Sequence, residues 1–145
     1  PLQTERLIKA LQQVVARHES FRTSLEWDQD QVIQRVHPYL PIEIETLSIQ
    51  EKELPEMRQA FVQPFQLNQS PLFRAQLLTW SDQNYALLVD MHHAIADGFS
   101  MAILLDELVH SYQGRWLPEV HVHYKDVVMW QQQQIAEGIL QTQQA

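Results

Sequence analysis

The sequence predicts one α/β sandwich with a mixed, mostly antiparallel sheet, and three observations predict it. Helical and strand periodicities alternate in the order helix, strands, helix, strands, helix. No stretch has the composition of an interdomain linker, and no internal repeat occurs. The chain has 145 residues, 45% hydrophobic and 19% charged, which suits one ordinary domain with a packed core.

The elements follow in order. Leu7, Ile8, Leu11, Val14 and Val15 share one helical stripe, with Thr4 as the expected N-cap. Phe21, Thr23, Leu25 and Trp27 then alternate as a strand does. The polar turn Asp28-Gln29-Asp30 leads to a second strand over 32–36, and Pro38 and Pro41 bracket a break before an extended stretch over 42–47. Ser48-x-x-Glu51 reads as the capping box of a second helix that runs to about Gln63 and stops at Pro64. A connector leads into a strand over 73–80, a polar turn spans 81–84, and a nearly continuous apolar run over 85–91 implies a strand covered on both faces. A helix over 99–112 closes at Gly114 as its C′ residue. Beyond Pro118 lies Val120-His121-Val122-His123, read as a strand, and then a last helix over 125–141 whose Gln131 to Gln134 run forms a solvated face.

Composition excludes several function classes. Ten basic residues against eighteen acidic give a net charge of −8, which disfavours nucleic acid and an anionic membrane surface as partners. No apolar run approaches the ~18–20 residues of a membrane span, and no signal-peptide pattern opens the chain. Without cysteine there is no disulfide, thiolate zinc site or cysteine nucleophile, and the cytoplasm is the expected compartment. Neither G-x-G-x-x-G nor G-x-x-x-x-G-K-[ST] occurs, so nucleotide binding through those motifs is out.

The segment that carries chemistry is Met91-His92-His93-Ala94-Ile95-Ala96-Asp97-Gly98-Phe99-Ser100, between the most hydrophobic strand and the following helix. Loops at strand ends commonly hold reactive residues on a rigid scaffold. Adjacent histidines point in different directions, so at most one is expected to face a given site. A neutral imidazole there can take a proton from, or align, an attacking amine or hydroxyl, which suits acyl transfer. No G-x-S-x-G elbow exists, so the acyl group would arrive already activated, as in a thioester. Gly98 permits a backbone conformation that a Cβ would forbid, or the close approach of another chain. On spacing alone, a structural loop cluster is the commoner role for such a His-His near an Asp, and a metal site the next. His121 and His123 would form half of a metal site, with no third ligand nearby in sequence.

His92-His93-x-x-x-Asp97-Gly98 resembles the H-H-x-x-x-D-G signature of the condensation domains of non-ribosomal peptide synthetases, relatives of chloramphenicol acetyltransferase. Arg17-His18-Glu19-Ser20-Phe21-Arg22-Thr23-Ser24-Leu25 is similar to that family's R-H-E-x-L-R-T-x-F segment, with Phe21 for Leu and Leu25 for Phe. Phe65-x-Leu67 with Pro71-Leu72-Phe73-Arg74-Ala75 resembles F-x-L…P-L-x-R-A, and Tyr124, Asp126 and Trp130 match Y-x-D-Y-A-x-W. The four segments keep the family's order over roughly residues 7–133.

The resemblance implies a chloramphenicol-acetyltransferase-like fold and a function. His93 would be the catalytic residue, accepting a proton from or positioning the α-amino group that attacks an upstream carrier-bound thioester. A protonated His93 stabilising the tetrahedral oxyanion is the third role it allows. Asp97 would be buried and ion-paired, with Arg22 as partner and Arg17 in reserve, so that Asp97→Ala loses fold before chemistry. His92 would be a satisfied neighbour of the site, and Gly98 would serve loop geometry or bring a backbone N–H near the reacting carbonyl. His18 and Glu19 would stabilise the helix end, and Tyr124, Asp126 and Trp130 would pack and hydrogen-bond at a helix start. No metal and no directly bound cofactor are implied. Substrates would ride on phosphopantetheine arms of upstream and downstream carrier domains.

Departures from the pattern matter. The family's S-x-A-Q-x-R-x-W segment and the motifs of its second lobe are not found in residues 1–145. The expectation is therefore an N-terminal lobe, inactive alone, whose exposed lobe interface pairs with a C-terminal lobe or drives self-association. Heterocyclisation domains carry aspartates in place of the histidines and are disfavoured. Epimerisation domains share H-H-x-x-x-D-G and are the nearest rival, although R-H-E-x-x-R-T favours condensation. A degenerate, non-catalytic recruitment platform and a stand-alone acyltransferase are the remaining readings.

Overall fold

A computed structural model describes residues 2–39 and 41–138. The core forms where helix α1 (Thr4–Arg17) lies against α3 (Gly98–Tyr112). Ala10, Leu11, Val14 and Val15 from the first helix meet Leu104 and Leu108 from the second, and Phe21, Phe73 and Ala75 complete the cluster. The i, i+4 spacing of the apolar residues in α1 is what puts them on this single buried stripe. The helix begins one residue earlier than a Thr4 cap requires, with Gln3 as N-cap. The backbone N–H of Gln3 donates to the Tyr112 hydroxyl at 3.1 Å, tying the start of α1 to the end of α3.

Among the described residues, five strands form two sheets rather than one. Strands β1 (Thr23–Asp28) and β2 (Gln31–Val36) make an antiparallel hairpin whose turn places Gln29 at φ 55°. Phe21 belongs to a three-ten turn, Glu19–Arg22, so the strand starts two residues later than alternation predicts. The second sheet has the order β3-β4-β5, with β3 (Glu45–Ser48) parallel to β4 (Phe73–Thr79) and β5 (Tyr85–Met91) antiparallel to it.

Two expectations for this sheet need correction. Every residue of β5 is half-buried, so the strand is not fully covered on both faces in this chain, and separately its outer edge pairs with no strand among the described residues. Ser48 ends β3 opposite Thr79 and caps nothing. The reciprocal bond comes two residues later, where the Gln50 N–H donates to the Glu53 carboxylate at 2.6 Å. Helix α2 (Leu54–Phe61) follows and ends earlier than Gln63.

Helix α3 closes at Gly114, whose φ of +75° lets its N–H reach Ser111 and the next N–H reach His110. Residues 115–123 form no strand, which removes the paired placement of His121 and His123 on one face. Helix α4 (Tyr124–Ala136) buries none of its residues. The predicted last turn of this helix, 139–141, lies outside the described residues. Among the described residues no helix is long and apolar enough to cross a membrane.

Candidate functional site

The loop from β5 to α3 carries His92, His93 and Asp97, and hydrogen bonds fix each of them differently. His93 is exposed and its Nδ1 lies 2.8 Å from the Ala96 carbonyl oxygen. A carbonyl only accepts, so Nδ1 carries a proton, and in the neutral ring Nε2 is the nitrogen that holds the lone pair. His92 is the opposite tautomer, because its Nδ1 accepts the Ala94 N–H at 3.0 Å. Its ring stands edge-on to Phe65 at 6.3 Å. The Arg74 guanidinium lies 3.8 Å above that phenyl ring and its Nε stands 3.2 Å from Asp90. The Phe65 and Pro71–Arg74 segments thus form the shelf under His92, and one histidine is packed while its neighbour is free.

Asp97 is not buried and meets no arginine. It is the exposed N-cap of α3, where one carboxylate oxygen accepts both the Ser100 N–H at 2.8 Å and the Ser100 hydroxyl at 2.7 Å. The two candidate arginines are engaged elsewhere. Arg17 Nε is 3.1 Å from Glu107, which also takes His18 Nε2 at 2.7 Å. Arg22 reaches Glu19 at 3.2 Å and donates to the His37 carbonyl at 3.3 Å. Carboxylates closer in the fold pair with both guanidiniums, and the helix end satisfies Asp97. The expected Asp97–Arg22 pair is therefore corrected to a helix cap.

The Ser100 N–H, then the Ser100 hydroxyl, hold the Asp97 carboxyl below its ordinary value of 3.8. A depressed folded value means the cap contributes fully above the ordinary aspartate range and is lost as pH falls from about 3.8 through the folded value. Asp97→Ala in the complete domain is expected to lower Tm on the order of 3 °C at pH 7, and by less near pH 3. Thermal melts at the two pH values check this, and equal losses at both would contradict the carboxylate cap.

Gly98 opens α3 with φ outside the left-handed region, and a Cβ built there meets nothing within 4 Å. Its backbone conformation does not require glycine in this chain, contrary to expectation. What it leaves is open space at the helix start.

Residues far apart in sequence close around His93. The open cleft, about 290 Å³, is lined by Ser20, Ile95, Ser100 and Tyr124 as well as His93 and Asp97. Glu19 explains how Tyr124 arrives there. Lys125 Nζ lies 2.7 Å from the Glu19 carboxylate, clamping the start of α4 to the three-ten turn. The Lys125 hydrogen bond, aided by the charges of His123, Lys125 and Arg22, pulls the Glu19 carboxyl below its usual value. Sequence reasoning gave Tyr124 a packing role and did not single out Ser20, because periodicity carries no record of such long-range contacts, whereas Ser100 was within reach of a local signal, an Asp N-cap three residues before a serine. Among the described residues no three His, Asp or Glu side chains stand together as a metal cluster.

Comparison with known proteins bears on this arrangement. A family profile described as "Condensation domain" matches residues 1–145. The chain is 42% identical over 130 residues to tyrocidine synthase 2 of Brevibacillus parabrevis, covering 90% of the chain and 4% of that protein. It superposes with TM-score 0.86 and 27% identity on the X-domain solved in complex with OxyB from teicoplanin biosynthesis, covering 97% of the chain and 32% of that one. The condensation domain of the monacolin K polyketide synthase MokA shares the fold, with TM-score 0.85 at 19% identity over 98% of the chain and 33% of that structure.

Proposed function

The chain belongs to the condensation-domain family, and on that premise we propose that it is the N-terminal lobe of an amide-forming domain with His93 at the reaction centre. One observation carries the proposal: the Nδ1–H of His93 is held by the Ala96 carbonyl, so Nε2 is the nitrogen that holds the lone pair in the neutral ring, and His93 lines an open cleft. In the proposed reaction the α-amino nitrogen of one carrier-bound aminoacyl group attacks the thioester carbon of another. The C–N bond forms, the C–S bond breaks, and one amine proton passes to Nε2 and from there to the departing thiolate. Asp97 and Ser100 hold the helix end next to His93, His92 anchors the loop, and Gly98 leaves room for a carrier's phosphopantetheine arm. Arg17 and Arg22 act through Glu107 and Glu19 to hold the three-ten turn that forms the opposite wall.

The chain spans about 4% of the length of tyrocidine synthase 2. In this proposal the rest of the cleft comes from a second lobe, and carrier domains deliver both substrates. The apolar side chains left exposed on α3 and α4 support that assembly, among them Phe99, Ile103, Val127, Met129 and Trp130. Without that lobe the same surface is expected to self-associate.

The test is the complete domain supplied with two loaded carriers. Amide product supports the reading, whereas inversion at the α-carbon without amide formation would assign epimerisation instead. The likeness to an X-domain solved with OxyB favours one second reading, a surface that recruits a partner protein. That reading predicts no product from either reaction.

A further inference from the structure

A second cavity borders the cleft at His93. Ser20, Ile95 and Ser100 line the cleft, and the same three side chains line a second cavity of about 90 Å³. Its remaining walls are Phe21, Leu104, Ile103 and His18. The Nε2 of His18 is already engaged by Glu107 at 2.7 Å, which fixes the ring in this wall. At about 90 Å³ the space is smaller than the ~150 Å³ that holds a benzene ring, and it suits a short aliphatic group.

We infer that this second cavity seats the side chain of the incoming aminoacyl group, and that Ser20, at its junction with the His93 cleft, sets the size it accepts. The inference rests on the amide-forming reading. An α-amino nitrogen brought to His93 Nε2 carries its side chain on the adjoining carbon, so that side chain enters whatever opening borders the cleft. The donor's side chain lies one bond further away, beyond the carbonyl carbon under attack.

Ser20 is also a position where a larger side chain fills space instead of shifting the backbone. Glu19 before it is held by Arg22 and Lys125, and Phe21 after it is buried edge-on against Phe73 at 5.0 Å. The Ser20 carbonyl accepts the Thr23 N–H, which closes the turn. The turn is pinned on both sides of the residue that separates the two cavities.

The experiment uses the complete domain with loaded carriers and an acceptor series bearing glycyl, alanyl, valyl and leucyl groups. Ser20→Leu is expected to lower the rate with the leucyl acceptor ~10–200-fold relative to glycyl, the discrimination expected of one or two methylenes in an apolar pocket. Ile103→Trp fills the same cavity from its rim and is expected to act in the same direction, with a thermal melt of the complete domain checking that the two lobes stay joined. Binding of non-reacting aminoacyl-pantetheine amides is measured in parallel, with tighter binding of the leucyl form in the parent protein and loss of that preference in both variants. A uniform rate loss across acceptors, a size dependence that follows the donor, or no loss of binding preference would each overturn the inference. If no amide forms with any acceptor but Ser20 still controls analogue binding, the cavity stands and the amide-forming reading falls.

Discussion

Replacing His93 with alanine in the complete domain is expected to reduce amide formation between two loaded carriers by about 10²–10⁴-fold, the usual contribution of a positioned proton acceptor. The fold should be untouched, because the His93 side chain is exposed and its one bond is to a carbonyl three residues away within its own loop. His92→Ala makes the informative contrast. That substitution removes the ring packed on Phe65 and frees the Ala94 N–H, so stability should fall before chemistry does. Stopped reactions analysed for product, with a thermal melt of each variant, separate the two histidines. A His93→Ala protein that forms amide at the parent rate would remove His93 from the mechanism.

Glu107→Ala is expected to destabilise the domain by about 2–3 kcal/mol, somewhat below the ~3–5 typical of a broken buried pair. The reduction reflects partial screening, since the Glu107 and Arg17 side chains remain 14% and 16% exposed. One carboxylate holds two residues at the end of α1, and its loss leaves Arg17 and His18 without their partner on α3. Glu107→Gln should recover part of the stability, because an amide oxygen can still accept from Arg17. Denaturant titrations measure both, and a change for Glu107→Ala within about 0.5 kcal/mol would show that the pair is idle.

Much of the fold was legible in the residue order. The alternation at β1, the stripe of Leu7 to Val15 and the apolar run at β5 each belong to elements that form within a few residues of expectation. The errors share one origin, competition between local signals. Ser48 was as good a cap as Gln50, but strand pairing with Thr79 claimed it first. Phe21 fitted the β1 alternation and instead turned inward through a three-ten turn to reach Phe73.

The site was legible as a loop but not as a constellation. Spacing placed His93 and Asp97 at the strand-to-helix junction, where the structure has them. It did not show that Asp97 would cap α3 rather than pair with Arg22, because the choice depends on Glu19 and Glu107 offering both arginines nearer partners. Ser20 and Tyr124 stayed hidden for the same reason. Their meeting at His93 is a product of the Glu19–Lys125 clamp, and a charge pair between distant residues leaves no periodic trace.

That clamp has a consequence in terms of ionic strength. Helix α4 buries no side chain of its own, and the Lys125 end of the pair is 44% exposed. The attraction is therefore open to screening, with a Debye length of ~10 Å at 0.1 M salt shrinking to ~3 Å at 1 M. The α1–α3 core, held by apolar contact, is strengthened rather than weakened by sulfate. Salt thus acts oppositely on the two halves of the cleft wall, firming the scaffold behind Ser20 while loosening the tether that brings Tyr124 to His93.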